Sequence, residues 1–252
     1  MISDFPLFMF TVLVGLASGA YIAAAVFPQK DAEKERPWAF PLIMLVMVAI
    51  GGVAAFMHLG RPELAYNMVG NLASPLMLEG IAAGVLAIVA LIDLVLSIKK
   101  PEHVRLARII GGVVGVASLA SMTYAYSVSY GSLAWASTPT LFVFIVGGLV
   151  GGMSLWTVLS GQQAKGMALA VGALAAVFTC VLIWQAATFA GLGADGSACI
   201  GIGAAFAAAS AVMAFAQPRI KTKAEVLMLA AAVLSIIAVI VSRYGFYMAS
   251  II

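Results

Sequence analysis

Eight stretches of this chain run for about 18 or more residues with few or no charges, and no other feature limits the fold so strongly. Crossing roughly 30 Å of hydrocarbon takes about 20 helical residues at a rise of 1.5 Å each. Hydrocarbon also tolerates only backbone that satisfies its own hydrogen bonds, and runs of this length do so as helices. They lie at about 5–27, 38–58, 76–98, 107–129, 139–160, 167–190, 198–217 and 225–247. The expected fold is therefore all-α: a polytopic membrane protein with eight transmembrane helices, forming a single integral membrane domain over residues 1–252. Composition agrees, since 64% of the residues are hydrophobic, against roughly 45–50% in soluble domains. The polar connections are too short for a soluble domain, so the bilayer is the expected surrounding and no nucleic-acid partner is expected. The first apolar run begins at Phe5 with Asp4 before it and no preceding Lys or Arg. That does not match a signal peptide, and the first helix is expected to stay in the mature protein.

The basic residues orient the chain. Lys30, Lys34 and Arg36 fall in the first connection, and Lys99, Lys100, Arg105 and Arg108 in the third. Lys165 falls in the fifth, and Arg219, Lys221 and Lys223 in the seventh. Only Arg61 and Arg243 remain for the other side. The positive-inside rule then places the basic loops in the cytoplasm and both termini outside. An odd number of helices would destroy this alternation.

Small residues recur four apart: Gly15 and Gly19, Gly80 and Gly84, Gly111 and Gly115, Gly147 and Gly151, Gly148 and Gly152. Such spacing lets helices approach closely in lipid, and close packing is expected at all of these pairs. Pro75 and Pro139 mark helix starts, where a missing N–H costs little. GLGADGS at 191–197 reads as a flexible outer turn, and the alanine-rich GIGAAFAAASAVMAFA as lipid-facing or close-packed helix.

Ionisable residues at membrane depth are functional candidates by default. Glu79 lies about four residues into the third helix, on the outer side. His58 ends the second helix on that side in HLGRPELAYN, with Arg61 three residues on, and Arg243 returns to the same depth in SRYGFYM. Structural readings stand beside the functional ones. His58 suits a helix C-terminus, Arg61 suits an interfacial anchor, and Glu79 and Arg243 can pair to hold the bundle. Asp93 falls about 21 Å further along the third helix than Glu79, near Lys99 and Lys100, where structural pairing is expected. His103, between Glu102 and Arg105, is expected to be solvated.

Tyr124, Tyr126, Tyr130, Trp135 and Trp184 gather on the outer side, and an aromatic belt at headgroup level accounts for most of them. Gln185 needs a partner if it is buried. A flat apolar ligand with two polar ends, such as a quinone, suits a pocket of this kind. The two histidines, His58 and His103, fall on opposite sides of the membrane, so no bis-histidine haem is expected. Cys180 and Cys199 lack the spacing of a metal site, and no iron-sulfur cluster is expected in this chain.

HLGRP at 58–62 followed by the glutamate of MLEGIAAG at 77–84 resembles the membrane-anchor subunit family of dimethyl sulfoxide reductase. The Tyr126 region with WASTP at 135–139, WQAA at 184–187 and SRYGFYM at 242–248 extend that similarity over most of the chain. The resemblance implies an eight-helix anchor in the bacterial cytoplasmic (inner) membrane, not a complete enzyme by itself. It implies a molybdopterin catalytic subunit and an iron-sulfur electron-transfer subunit as partners. It further implies that the anchor binds and oxidises menaquinol and passes the electrons to the iron-sulfur subunit. Carried over by motif, the catalytic candidates are His58 and Glu79, and the quinol-binding candidates are His58, Arg61, Glu79, Tyr126, Gln185 and Arg243. Arg61 stands where the family varies. The related anchors of polysulfide and nitrite reductase complexes share the quinone role without this histidine motif. A small-molecule or proton transporter is a second class, which would need ionisable groups along a path through the membrane, and a purely structural anchor is a third.

Overall fold

A computed structural model describes residues 4–28, 36–59, 62–161, 165–220 and 224–249. It consists of eight long helices: α1 (Phe5–Val26), α2 (Ala39–His58), α3 (Pro75–Lys99), α4 (Val104–Ser127), α5 (Thr140–Ser160), α6 (Lys165–Gly191), α7 (Ser197–Ala216) and α8 (Ala224–Met248). All eight are long and apolar enough to cross a membrane, and no strand occurs among the described residues. Each expected span is found to within three residues at either end. HLGRPELAYN continues into a short 3-10 helix over Pro62–Gly70, which the apolar runs did not signal.

Successive helices run in opposite directions. The starts of α1, α3, α5 and α7 therefore meet the ends of α2, α4, α6 and α8 at one end of the bundle. Contact between His58 at the end of α2 and Asp4 before α1 marks this end, as does contact between Gly196 before α7 and Gly245 near the end of α8. It carries the first and last described residues, 4 and 249, and is called the terminal end below; the opposite end is the basic end. Arg36, Lys99, Lys100, Arg105 and Arg219 lie at the basic end.

The helix α1 forms the centre and packs against α2, α4, α5 and α8. Its sequence explains that place: it carries no charge, and small residues let neighbours close in. At the crossing of α1 and α5, a side chain on Gly19 would collide with the backbone of Gly148, and one on Gly152 with the backbone of Gly19 and Ala20. A side chain on Gly115 of α4 would likewise meet the backbone of Ser18. With no hydrophobic drive between helices in lipid, such close approach supplies the dispersion contacts that hold the bundle. Gly80 and Gly84 depart from the expectation: both are exposed on α3, and a methyl group added to either would find no neighbour within 4 Å. The same spacing here lies on an open face.

Asp93 is fastened at the basic end, but not to Lys99 or Lys100, which are exposed. It is fully buried and pairs with Arg108 of α4, whose Nε lies 3.5 Å from its carboxylate. Ser97 and Tyr21 donate hydrogen bonds to it at 3.2 and 3.3 Å. Arg108 is thus not a loop cation. It lies one turn inside α4, its guanidinium 5.3 Å from the Phe40 ring and 5.7 Å from the Trp156 ring. His103 is solvated as expected, beside an equally exposed Glu102.

Candidate functional site

At the terminal end, chain geometry sets the depth of each polar group. The Ser74 hydroxyl accepts a hydrogen bond from the Met77 amide, and Pro75 opens α3, which fixes Glu79 one turn below the helix start. The chain leaves α6 through Gly193 and Gly196, both at positive φ, a backbone shape that glycine adopts without steric cost. Gly196 then packs on the backbone of Gly245. The GLGADGS turn is therefore seated on α8 rather than standing free, and it holds the segment Arg243–Tyr247 against the bundle.

Arg243 is almost wholly buried. Its guanidinium lies 3.4 Å from the centre of the Phe144 ring, and Nη2 donates to the Val143 carbonyl at 3.4 Å. The Phe144 ring stacks on Tyr126, with centroids 4.7 Å apart and planes 6° apart. Tyr247, Phe246 and Trp135 close around Tyr126 edge-on. The Trp135 indole N–H donates to the Phe246 carbonyl at 3.1 Å. Tyr126 and Tyr247 share a hydrogen bond, and the Tyr247 hydroxyl donates to Thr11 at 3.2 Å.

Glu79 is buried within electrostatic reach of Arg243, Tyr126 and Tyr247. No direct ion pair joins it to Arg243 among the described residues, and one carboxylate oxygen, Oε1, has no hydrogen-bond partner. Nη1 of Arg243 likewise has none. Gln185 is fully buried with neither amide atom paired. It stands on the α6 face that carries Phe178 and Phe189. Phe178 packs by Gly147 next to Arg243, and Phe189 lies 6.0 Å from Phe246. The contrast with the basic end is chemical: both oxygens of Asp93 are occupied, whereas the terminal-end groups retain hydrogen-bonding capacity in a place where water is scarce.

Of the candidate residues, Glu79, Tyr126 and Arg243 are brought together, and Gln185 faces the same part of the bundle. His58 is not joined to them. It is exposed at the rim, its Nδ1 3.8 Å from the Asp4 carboxylate. Arg61 lies outside the described residues. The aromatic group splits: Tyr124, Tyr130 and Trp184 are exposed as a belt would be, while Tyr126 is core and Trp135 half-buried. Thr11, Phe144 and Tyr247 belong to the cluster although sequence reasoning passed over them. Tyr247 had one usable signal, its position four residues after Arg243 on the same helix face.

The whole chain, residues 1–252, matches the family model described as DMSO reductase anchor subunit (DmsC). It is 28% identical over 159 residues to the C chain of anaerobic dimethyl sulfoxide reductase from Haemophilus influenzae, covering 60% of this protein and 57% of that relative. It is 32% identical over 84 residues to the YnfH chain of anaerobic dimethyl sulfoxide reductase from Escherichia coli K12, covering 32% of this protein and 30% of that one. The matched stretches thus span about half or less of these relatives' lengths, while the family match runs from end to end. The chain belongs to the DMSO reductase anchor subunit family.

Proposed function

We propose that this protein anchors an iron-sulfur subunit and a molybdopterin catalytic subunit in the bacterial cytoplasmic membrane, oxidises menaquinol at its terminal end, and passes the electrons to the iron-sulfur subunit. The observation that carries the reading is the set of unpaired polar atoms on Glu79, Gln185 and Arg243, buried beside an aromatic cluster at one depth. A quinol offers two hydroxyls on a flat ring, and it matches a site with separated hydrogen-bonding groups and apolar walls.

Oxidation converts the quinol to quinone and releases two electrons and two protons. Glu79 accepts a hydrogen bond, then a proton, from one hydroxyl. Arg243, held over Phe144, keeps positive charge close to that carboxylate. Gln185 presents both a donor and an acceptor to the ring's oxygens. The proton of the second hydroxyl leaves through water to His58 at the rim, which releases it outside, and the two electrons pass to the iron-sulfur subunit. The terminal end faces outward, with the basic loops in the cytoplasm by the positive-inside rule. Electrons and protons then leave on the same side, and the subunit does not pump. A transporter would need ionisable groups between Glu79 and Asp93; the described stretch of α3 between them holds none, and Asp93 is committed to Arg108.

The test uses the assembled complex in membranes. Glu79→Gln and His58→Ala are each expected to lower turnover with menadiol as donor and dimethyl sulfoxide as trial oxidant, with reduced benzyl viologen turnover unchanged. Full menadiol turnover in both variants would refute the site.

A further inference from the structure

Thr123 stands out among the hydroxyl residues of the bundle. A threonine inside a helix ordinarily turns its hydroxyl onto the carbonyl of the preceding turn. Thr157, Thr179 and Thr188 do so here, donating to Met153, Ala175 and Trp184 at 2.8–2.9 Å. Thr123 does not. It is buried, and its Oγ1 has no hydrogen-bond partner.

Its position gives that free hydroxyl a meaning. Thr123 lies one turn below the end of α4, and Glu79 lies one turn below the start of α3, the helix packed against it. The two are therefore level at the terminal end. Tyr126 follows Thr123 by three residues and shares its helix face; it is the residue through which α4 meets Phe144, Tyr247 and the field of Glu79. Ser18, Ser118 and Ser154 are also buried with unpaired hydroxyls. Those three lie more than two turns from the terminal end.

We infer that Thr123 is a further ligand-binding residue of this site, its hydroxyl hydrogen-bonding a hydroxyl or carbonyl oxygen of the bound quinol or quinone beside Glu79. This rests on the quinol reading above. A hydroxyl both donates and accepts, so Thr123 accepts from the quinol and donates to the quinone. It holds the ring while Glu79 takes the proton.

Thr123→Val keeps the shape and deletes the hydroxyl, and Thr123→Ser keeps the hydroxyl. Both are measured in the assembled complex with menadiol and, separately, with reduced benzyl viologen, alongside Glu79→Gln. One neutral hydrogen bond is worth about 0.5–1.5 kcal/mol, so Thr123→Val is expected to lower kcat/KM for menadiol roughly two- to thirteenfold, mainly through KM. Thr123→Ser is expected to restore it, and viologen turnover to stay unchanged. An unchanged menadiol KM in Thr123→Val while Glu79→Gln is impaired would overturn the role of Thr123 and leave the site standing. Unaltered menadiol kinetics in both would overturn the inference and the site together. A loss that serine fails to restore, or one shared by viologen turnover, would show a packing role and overturn the inference. If Thr123→Val does not assemble, Thr123→Ala is read by the same criteria. Should neither assemble, wild type and Thr123→Ser with bound menadione are compared by the infrared carbonyl stretch, where an identical, unshifted band in both overturns it.

Discussion

Replacing Arg108 by leucine should destabilise the bundle severely, and replacing Asp93 at the same time should recover most of the loss. Arg108 Nε lies 3.5 Å from the Asp93 carboxylate, and both side chains are almost fully removed from solvent. Removing one member of a buried pair costs about 3–5 kcal/mol, because the surviving charge stays buried without its partner. Asp93 keeps its hydrogen bonds from Ser97 and Tyr21, and a stranded carboxyl can shed part of the penalty by binding a proton. Those two considerations favour the low end, about 3 kcal/mol, part of it from lost stacking on Phe40 and Trp156. Asp93→Asn together with Arg108→Leu leaves an amide for Ser97 and Tyr21 and no charge, so the double variant should sit within about 1 kcal/mol of wild type. The assay is a double-mutant cycle on the detergent-solubilised complex, with denaturant midpoints read by near-ultraviolet circular dichroism. Asp93→Asn alone strands the buried arginine and should also cost about 3 kcal/mol, so with about 1 kcal/mol for the double variant a coupling of about 5 kcal/mol is expected. Additivity within about 0.5 kcal/mol would refute the claim that the pair acts as a unit.

Two further substitutions probe packing. Gly152→Ala places a methyl against the backbone of Gly19 and Ala20, which has no flexible end to yield; it should cost about 1–3 kcal/mol. Gly84→Ala meets nothing within 4 Å and should change stability by no more than about 0.5 kcal/mol, so the same thermal assay must separate the two. Trp135→Phe keeps a ring on Phe246 but loses the hydrogen bond to its carbonyl. About 1 kcal/mol should be lost, which denaturant titration of the solubilised complex would detect.

The helices were legible because hydropathy and punctuation agree: Pro75 opens α3, and charged residues flank most of the apolar runs. The start of α4 was not. Arg105 and Arg108 read as loop cations, yet Arg108 enters the membrane because Asp93, fifteen residues earlier, neutralises it. No local pattern announces such a pairing. Glycine spacing likewise does not say which way a face points: Gly148 and Gly152 meet α1, whereas Gly80 and Gly84 meet nothing. At the candidate site, Glu79 and Arg243 were visible because charges are rare at that depth. Thr11, Thr123 and Tyr247 were not, since hydroxyls are common in apolar helices and only their partners, or lack of them, set them apart. Tyr124 and Tyr126, two residues apart, differ in burial because they stand on opposite sides of α4.

The Asp93–Arg108 pair also bears on how the protein is built. The two residues belong to neighbouring helices joined by a connection of only a few residues, so α3 and α4 form a hairpin that carries its own counter-ion. Inserted singly, each helix would take one of these charges toward the bilayer unmatched, at a cost below the roughly 2.5–3.5 kcal/mol of a central position because both lie near the basic end. Inserted together, Asp93 and Arg108 cancel one another's charge, which leaves Glu79 as the one carboxylate of α3 still to be matched from another helix. Tyr21 of α1 donates to the same carboxylate, so the hairpin's charge pair is also tied to the central helix.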